Sequence, residues 1–424
     1  MARLAAAALA LLIGTVGASA AEKIEANLEV VGRWEASLPA SYGDVAVVGT
    51  TAIVATEAGA PCPTASATVL DLAKPDRPGV VATIAIPPGM TVTDLDAVNV
   101  GTEGFSGDVV AIALSPCGGA AGGMTVLHDI TDPARPRLLG QMPGSLSVSL
   151  AQRPDGRVLA ARTDLALPGV ILDDVSNPAD PVALGRWADP QPAADTCRSA
   201  TVLLHDEGDG AVVTFADGRV YELHLTDPSS PSIAGEAARR GQASHVAVLP
   251  LGNRTIAIVS EEEPGCAGDV AENALRVLTL EGGAGPREEA PVRFPAAPAP
   301  GRLVASGTLA YVAWHDDGLR VIDFAEVRAR TVAQFAPEQP DIVGVALLPQ
   351  HVVAVDRVSG LYVLDRPEEA GGRAGFWSQF LGLLRYIGAA AVMAALLVVP
   401  RLVMGSAAIG ADSRVPSPLG RRRA

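Results

Sequence analysis

The octapeptide DITDPARP, Asp129 to Pro136, recurs with variation along this chain. It returns as DLAKPDRP from Asp71, DVSNPADP from Asp174 and HLTDPSSP from His224. In chain order the four copies follow the apolar runs ATVL, MTVLH, GVILD and GRVYEL. Three more apolar runs occupy the same slot before degenerate turns: LRVLTLEGGAGP at Thr279, LRVIDFAEVRA at Asp323 and LYVLDRPEE at Asp365. The seven anchors lie 58, 45, 50, 55, 44 and 42 residues apart. Self-similarity at such a period is the signature of a repeat architecture.

Within a repeat the segments read as short strands. Repeat six is the clearest: RLVASG, LAYVAWH, the Asp316-Asp317-Gly318 turn, LRVIDF and RTVAQF. Runs rich in Val, Ile, Leu and aromatics, bounded by Gly, Asp and Pro, are strand signals. Proline in the recurrent turn blocks helix continuation and joins two strands. Four strands per repeat describe a propeller blade, so the fold class is all-β, a seven-bladed β-propeller. Seven anchors need seven strands after the turn, and only six follow: VVATIAI, RLLGQMP, VALGRWA, SIAGEAA, a poor one near VRFPAAP, and RTVAQF. The seventh is LEVVGRWEA at the N-terminal end, a near copy of VALGRWA. Pairing it with the strand ending at Asp365 closes the ring and removes exposed edges. A linear solenoid, the alternative, leaves that first strand without a partner turn.

The segments GLRVIDF, GVILDDVSNPADP and TVLHDITDPARP resemble the LVIVD repeat, a propeller-type repeat of bacterial and archaeal surface proteins. The resemblance spans nearly all of residues 22–367; it is clear in repeats two, three and six and eroded in five and seven. It implies a fold and a location, and it brings no catalytic residues.

The ends lie outside the repeats. Residues 1–20 read as a signal peptide: Arg3, the run LAAAALALLIGTVG, and Ala18-Ser19-Ala20 as a small-residue cleavage site. Residues 368–375 form a linker. Residues 376–404 read as a transmembrane helix, since the stretch from Gln379 to Met404 suffices to cross roughly 30 Å of hydrocarbon. Residues 405–424 are a basic tail ending Arg421-Arg422-Arg423, which the positive-inside rule places in the cytoplasm. The expectation is a single-pass protein of the cell membrane, its propeller periplasmic or at the cell surface. The net charge of −15 despite a basic tail makes the outer domain acidic, which excludes nucleic acid as a partner.

Strand direction alternates, so with strands a to d counted from the centre outward, the DPxxP turns (c–d) share one face with the a–b turns. The b–c and d–a connections share the other, and they carry the length variation: EAGAPCPTASA, SPCGGAAGG, EEEPGCAGDVAEN and ADPQPAADTCRSA. Elaborated loops on a rigid scaffold are where binding resides. Cys62, Cys117, Cys197 and Cys266 all fall there. Structural disulfides are expected in an oxidising compartment; of three possible connectivities, Cys62–Cys117 and Cys197–Cys266 join neighbouring blades. The nine or so residues after Asp365 turn the DPxxP face toward the bilayer.

No GxSxG, HExxH or Walker pattern occurs, and no cofactor or metal is expected. His128 and His224 neighbour the c–d turns, and His315 reads as a turn residue. His245 begins the inner strand of blade five. With Asp44, Asp96, Ser147, Ser199 and Arg302 it forms a candidate polar rim at the channel mouth. HDEGDG (His205 to Gly210) and Glu261-Glu262-Glu263 read as hairpin tips, and the former lacks the ligand pattern of a calcium loop. The sequon at Asn253 means little if the host is bacterial. The reading is a non-enzymatic module that binds a protein or surface polymer through its outward face, the alternatives being a hydrolase or lyase acting at the channel mouth and a structural scaffold holding a membrane complex.

Overall fold

The recurrent turn is built by its own side chains. The anchor carboxylate accepts the backbone N–H two residues on: Asp71 from Ala73 (2.8 Å), Asp129 from Thr131 (2.9 Å), Asp174 from Ser176 (2.9 Å) and Asp323 from Ala325 (2.9 Å). The residue after the anchor, Leu72, Ile130, Val175, Leu225 or Phe324, is buried. A β-turn with Pro at its second position follows, closed by Arg77 N–H to Lys74 O, Arg135 to Asp132, Asp180 to Asn177 and Ser230 to Asp227. Proline presets the φ that position requires. The motif is therefore a rigid corner with one apolar plug.

In the computed structural model the described residues are 26–35, 41–57 and 65–367, less 119–121, 145, 165, 167, 192–198, 253, 263–272, 281–284, 295–297 and 327. The chain enters through β1 (Ala26–Asn27) and β2 (Val30–Glu35). Blade 1 is β3 (Ser41–Val48), β4 (Thr51–Glu57), β5 (Ser66–Asp71) and β6 (Gly79–Ala85). Blade 2 is β7 (Met90–Gly101), β8 (Ser106–Pro116), β9 (Met124–Asp129) and β10 (Arg137–Pro143). Blade 3 is β11 (Val148–Gln152), β12 (Val158–Arg162), β13 (Gly169–Asp174) and β14 (Val182–Ala188). Blade 4 is β15 (Ala200–His205), β16 (Gly210–Phe215), β17 (Val220–His224) and β18 (Ser232–Ala237). Blade 5 is β19 (Gln242–Leu251), β20 (Arg254–Glu262) and β21 (Ala274–Leu280), edged by the short β22 (Arg287–Glu288) and β23 (Val292–Arg293). Blade 6 is β24 (Leu303–Ser306), β25 (Leu309–Ala313), β26 (Leu319–Asp323) and β27 (Arg330–Phe335). Blade 7 is β28 (Ile342–Leu347), β29 (His351–Asp356) and β30 (Gly360–Asp365), with β2 as its outer strand.

The expected closure is present. β2 runs antiparallel to β30, with Trp34 opposite Leu361 and Gly32 opposite Val363. Beyond that closure, β1 lies parallel to β27, and Leu28 N–H donates to Gln334 O at 3.0 Å, so the entering chain ties blade 6 to blade 7. Seven apolar clusters occur among the described residues, one in each gap between neighbouring blades. The cluster between blades 7 and 1 joins Val343, Val353 and Val363 to Tyr42, Val54 and Leu70. A solenoid would leave that surface in water.

The two GRW copies do one job. The outer strand of every blade but the fifth carries a bulge just before a small residue, as at Gly32, Gly140, Gly185 and Gly235. A Cβ there would collide with the next blade's turn: the Pro75 carbonyl for Gly32, that of Pro178 for Gly140, that of Pro228 for Gly185, and Gly285 Cα for Gly235. The tryptophan then packs on the next blade. Trp34 meets Tyr42 edge-on at 5.4 Å, and Trp187 lies 5.0 Å from Tyr221. The corner of one blade thus seats in a notch of its neighbour, which explains why the motif persists around the ring.

The chain divides after Pro367, and the described residues all belong to the first unit. The signal-peptide, linker, transmembrane and tail segments lie outside the described residues. No described helix is long and apolar enough to cross a membrane.

Candidate functional site: the channel mouth

The inner strands converge on the axis, and bulges decide what they present there. The β3 register shifts between Tyr42 and Val45, that of β7 between Val92 and Asp94, and that of β19 between Ala243 and Val246. A bulge re-aims side chains, and here it turns Asp44 and His245 inward. The result is two adjoining cavities of about 340 and 450 Å³ that share Asp94, Thr201, His245 and Arg302. Asp44 and Asp96 line the first, Ser147 and Ser199 the second. All six rim residues read from the sequence therefore meet at the axis.

Sequence reasoning missed the centre of this group. Arg302 Nη1 donates to Asp94 Oδ1 at 2.8 Å, and its Nε lies 3.0 Å from Asp44 Oδ1. Asp94 Oδ2 also accepts from the Ser147 hydroxyl (2.6 Å) and the Val148 N–H (2.9 Å). The position equivalent to Asp44 is thus Asp94, and Asp96 sits two residues deeper. β7 starts at Met90, well before Asp96, which shifts its apparent beginning. The readable signal was the alternation in TDLD: residues two apart on a strand share a face.

Nearly every polar group here also joins one blade to the next. Asp44 Oδ2 accepts the Leu95 N–H (2.7 Å) and Asp96 Oδ2 that of Leu150 (2.7 Å). Ser147 Oγ accepts from Val202 (3.3 Å), Ser149 Oγ from Leu204 (3.1 Å), and the Thr201 hydroxyl donates to Ser244 O (2.6 Å). The inner strands of different blades do not pair as a sheet, so side chains satisfy their inward N–H groups.

The electrostatics follow. Burial pushes the Asp44 carboxyl up to about 8 against the pull of Arg302, with Asp94 adding to the rise. Burial would raise Asp94 too, but Arg302, Ser147 and the Val148 N–H hold it below the usual carboxylate range. One guanidinium between two carboxylates favours a single negative charge. Burial drives Asp96 up to about 7, outweighing the N–H groups of Leu150 and Ala97. His245 is half-buried and lines both cavities; burial, then the Arg302 charge, takes its imidazole down to about 3. Its imidazole is neutral at physiological pH.

No protein-family model matches the chain, and no curated protein is significantly similar to it.

The remaining sequence candidates fall elsewhere. His315 takes a left-handed φ of 47° in its turn, and its backbone bridges to Ile342 of blade 7. Its Nδ1 lies 3.1 Å from Asp341 Oδ1, and Arg357 Nε donates to that carboxylate at 2.8 Å. His128 is part of β9, with its imidazole pushed down by burial. Asp206–Gly208 is a 3-10 turn inside the expected hairpin, whereas Glu261 is no tip: it is fully buried at the end of β20. No described group of three or more His, Cys, Asp or Glu converges on a metal position. Cys117 is disulfide-bonded; Cys62, Cys197 and Cys266 lie outside the described residues, as do Asn253 and Glu263.

Proposed function

We propose that the chain is a membrane-anchored, extracytoplasmic propeller of LVIVD type that binds a protein or surface polymer through its cysteine-bearing face. One observation carries the reading. The channel's carboxylates and hydroxyls are engaged in inter-blade hydrogen bonds, and its one histidine is too weak a base to serve at neutral pH. Polar groups committed in this way stabilise a ring. Variable loops around a rigid mouth then supply the recognition surface, and disulfides linking equivalent loops of neighbouring blades, Cys62 with Cys117 and Cys197 with Cys266, would stiffen it.

A photo-crosslinking residue placed at Gly118, beside Cys117, tests this in cells, with Ala134 in a DPxxP turn as control. A discrete adduct from position 118 and none from 134 is expected. Adducts only from 134, or from both positions equally, refute the assigned face.

A second reading has its own observation: Asp44 and Asp96 titrate near neutrality inside a cavity, as acid–base groups in hydrolases and lyases do. It requires a turnover that Asp96→Asn abolishes while the fold persists.

A further inference from the structure

On the opposite face, at the DPxxP end of blade 4, the register aligns three strands. His205 of β15 pairs with Gly210 of β16, and Gly210 pairs with His224 of β17. Glu222 stands two residues before His224 and so shares its side of β17. The glycine between the two histidines is the enabling residue. A Cβ on Gly210 would collide with the His205 ring, with Nδ1 3.0 Å away, so the imidazole lies across β16 toward β17. The floor so formed opens into a cavity of about 270 Å³, lined also by Asp206, Thr226 and Thr255.

Two groups facing this cavity are more than nine-tenths buried and lack hydrogen-bond partners. Glu222 is 6% exposed, with Oε2 unpartnered, and the His205 side chain is 7% exposed, with Nε2 unpartnered. His205 Nδ1 lies 3.0 Å from Asp206 Oδ2, a charge contact without hydrogen-bond alignment. The nearby guanidinium does not serve them: Arg153 from blade 3 is held by Asp209 (2.6 Å) and the carbonyls of Gly208 (2.6 Å) and Leu225 (3.1 Å). Burial pushes the Glu222 carboxyl up and the His205 imidazole down, outweighing the pull of His224 on the one and of Asp206 on the other. An unpartnered buried carboxylate is costly, and a cation with N–H donors relieves that cost.

We propose that the blade-4 cavity lined by Glu222, His205, His224 and Asp206 binds an organic cation, a guanidinium or primary ammonium group. The donors do not converge on a metal position; they are spread, which suits a planar or multi-donor cation rather than a coordinated ion. Glu222 takes the charge, His205 Nε2 and Thr226 accept further N–H groups, and Asp206 adds long-range attraction. The site lies on the face away from the cysteine-bearing loops and does not depend on the function proposed above.

The test is nitrogen-correlated NMR of the six histidine rings in the detergent-solubilised full chain, with the His205 signal assigned through His205→Gln. The probes are N-acetylarginine amide, N-acetyllysine amide and spermidine. Saturable shifts of the His205 and His224 rings are expected, weakened at least tenfold by Glu222→Gln and unchanged by Glu103→Gln on blade 2. Gly210→Ala should move the His205 signal before any probe is added and weaken binding, with thermal unfolding reporting that both variants fold. Saturation by the arginine or lysine amide ahead of spermidine assigns the cation to a protein side chain; the reverse order assigns it to a free polyamine. No saturable shift with any probe, full binding by Glu222→Gln, or tighter binding of zinc chloride with ring-nitrogen coordination each overturns the proposal.

Discussion

Ring closure can be tested at one atom. Gly32 lies where β2, the last blade's outer strand, meets the first blade's turn. A Cβ there would run into the Pro75 carbonyl oxygen and lie 2.9 Å from both the carbonyl carbon and the Cα of Asp76. These are backbone atoms of a proline-locked corner, so no side chain can rotate aside and the two blades must part. Overpacking commonly costs about 1–3 kcal/mol, and with rigid atoms on both sides Gly32→Ala should fall in the upper half, about 2–3 kcal/mol. Gly79 is the control: it begins an outer strand of the same kind and has nothing within 4 Å of its Cβ position. Gly79→Ala should change stability by about 0.5 kcal/mol or less, since only unfolded-chain entropy is altered. Equilibrium urea unfolding followed by tryptophan fluorescence reads both, because Trp34 sits at this seam against Tyr42. With a slope of about 3 kcal/mol/M or more for a chain of this size, Gly32→Ala should lower the midpoint by roughly 0.7–1 M. A midpoint unchanged in both variants would mean that β2 is not seated against the blade-1 corner, and the closed ring would have to be abandoned.

Arg302→Met should cost about 2–4 kcal/mol, since it leaves Asp44 and Asp94 facing each other without their shared cation. Adding Asp44→Asn should recover part of that loss, which a double-mutant cycle measures. Asp44 and Asp96 have folded pKa values of about 8 and 7, so the folded state binds protons that the unfolded state has released, and stability falls as pH rises from about 4 to 8. Asp44→Asn with Asp96→Asn should flatten that limb in denaturation midpoints taken across the range. On the acid side, His245 resists protonation down to about 3, so stability drops as pH falls below the ordinary histidine range, and His245→Gln should lessen the drop. Arg276, fully buried in β21, donates to the carbonyls of Gly218 (3.0 Å) and Ala238 beside Glu288. Arg276→Met should cost about 3 kcal/mol and raise amide exchange first in Leu275–Leu280.

Periodicity made the ring legible. A turn that needs Asp, an apolar plug and Pro at set offsets announces itself wherever it recurs, and the surplus of one outer strand told where the circle closes. The parallel β1–β27 contact was not legible, because two residues carry no period. The rim was half legible. Asp44, Ser147 and Ser199 could be placed by counting back from blade strands, but Asp94 could not, since the β7 bulge and long strand displace the apparent start. The blade-4 cavity is not legible in HDEGDG, which looks like a bare hairpin, because the meaning of Gly210 lies in the ring it lets past, which sits on another strand.

The linear order of residues determined on its own which segments are strands, how many blades they make and which end supplies the missing edge, since these depend on local turn chemistry and on alternation. The folded ring alone decided which charged groups meet, Arg302 with Asp44 and Asp94, and which line one cavity, as His205 and Glu222 do. Such pairings join residues far apart in the chain or on separate strands, and their energy depends on burial and a few tenths of an ångström, quantities that no spacing along the chain encodes.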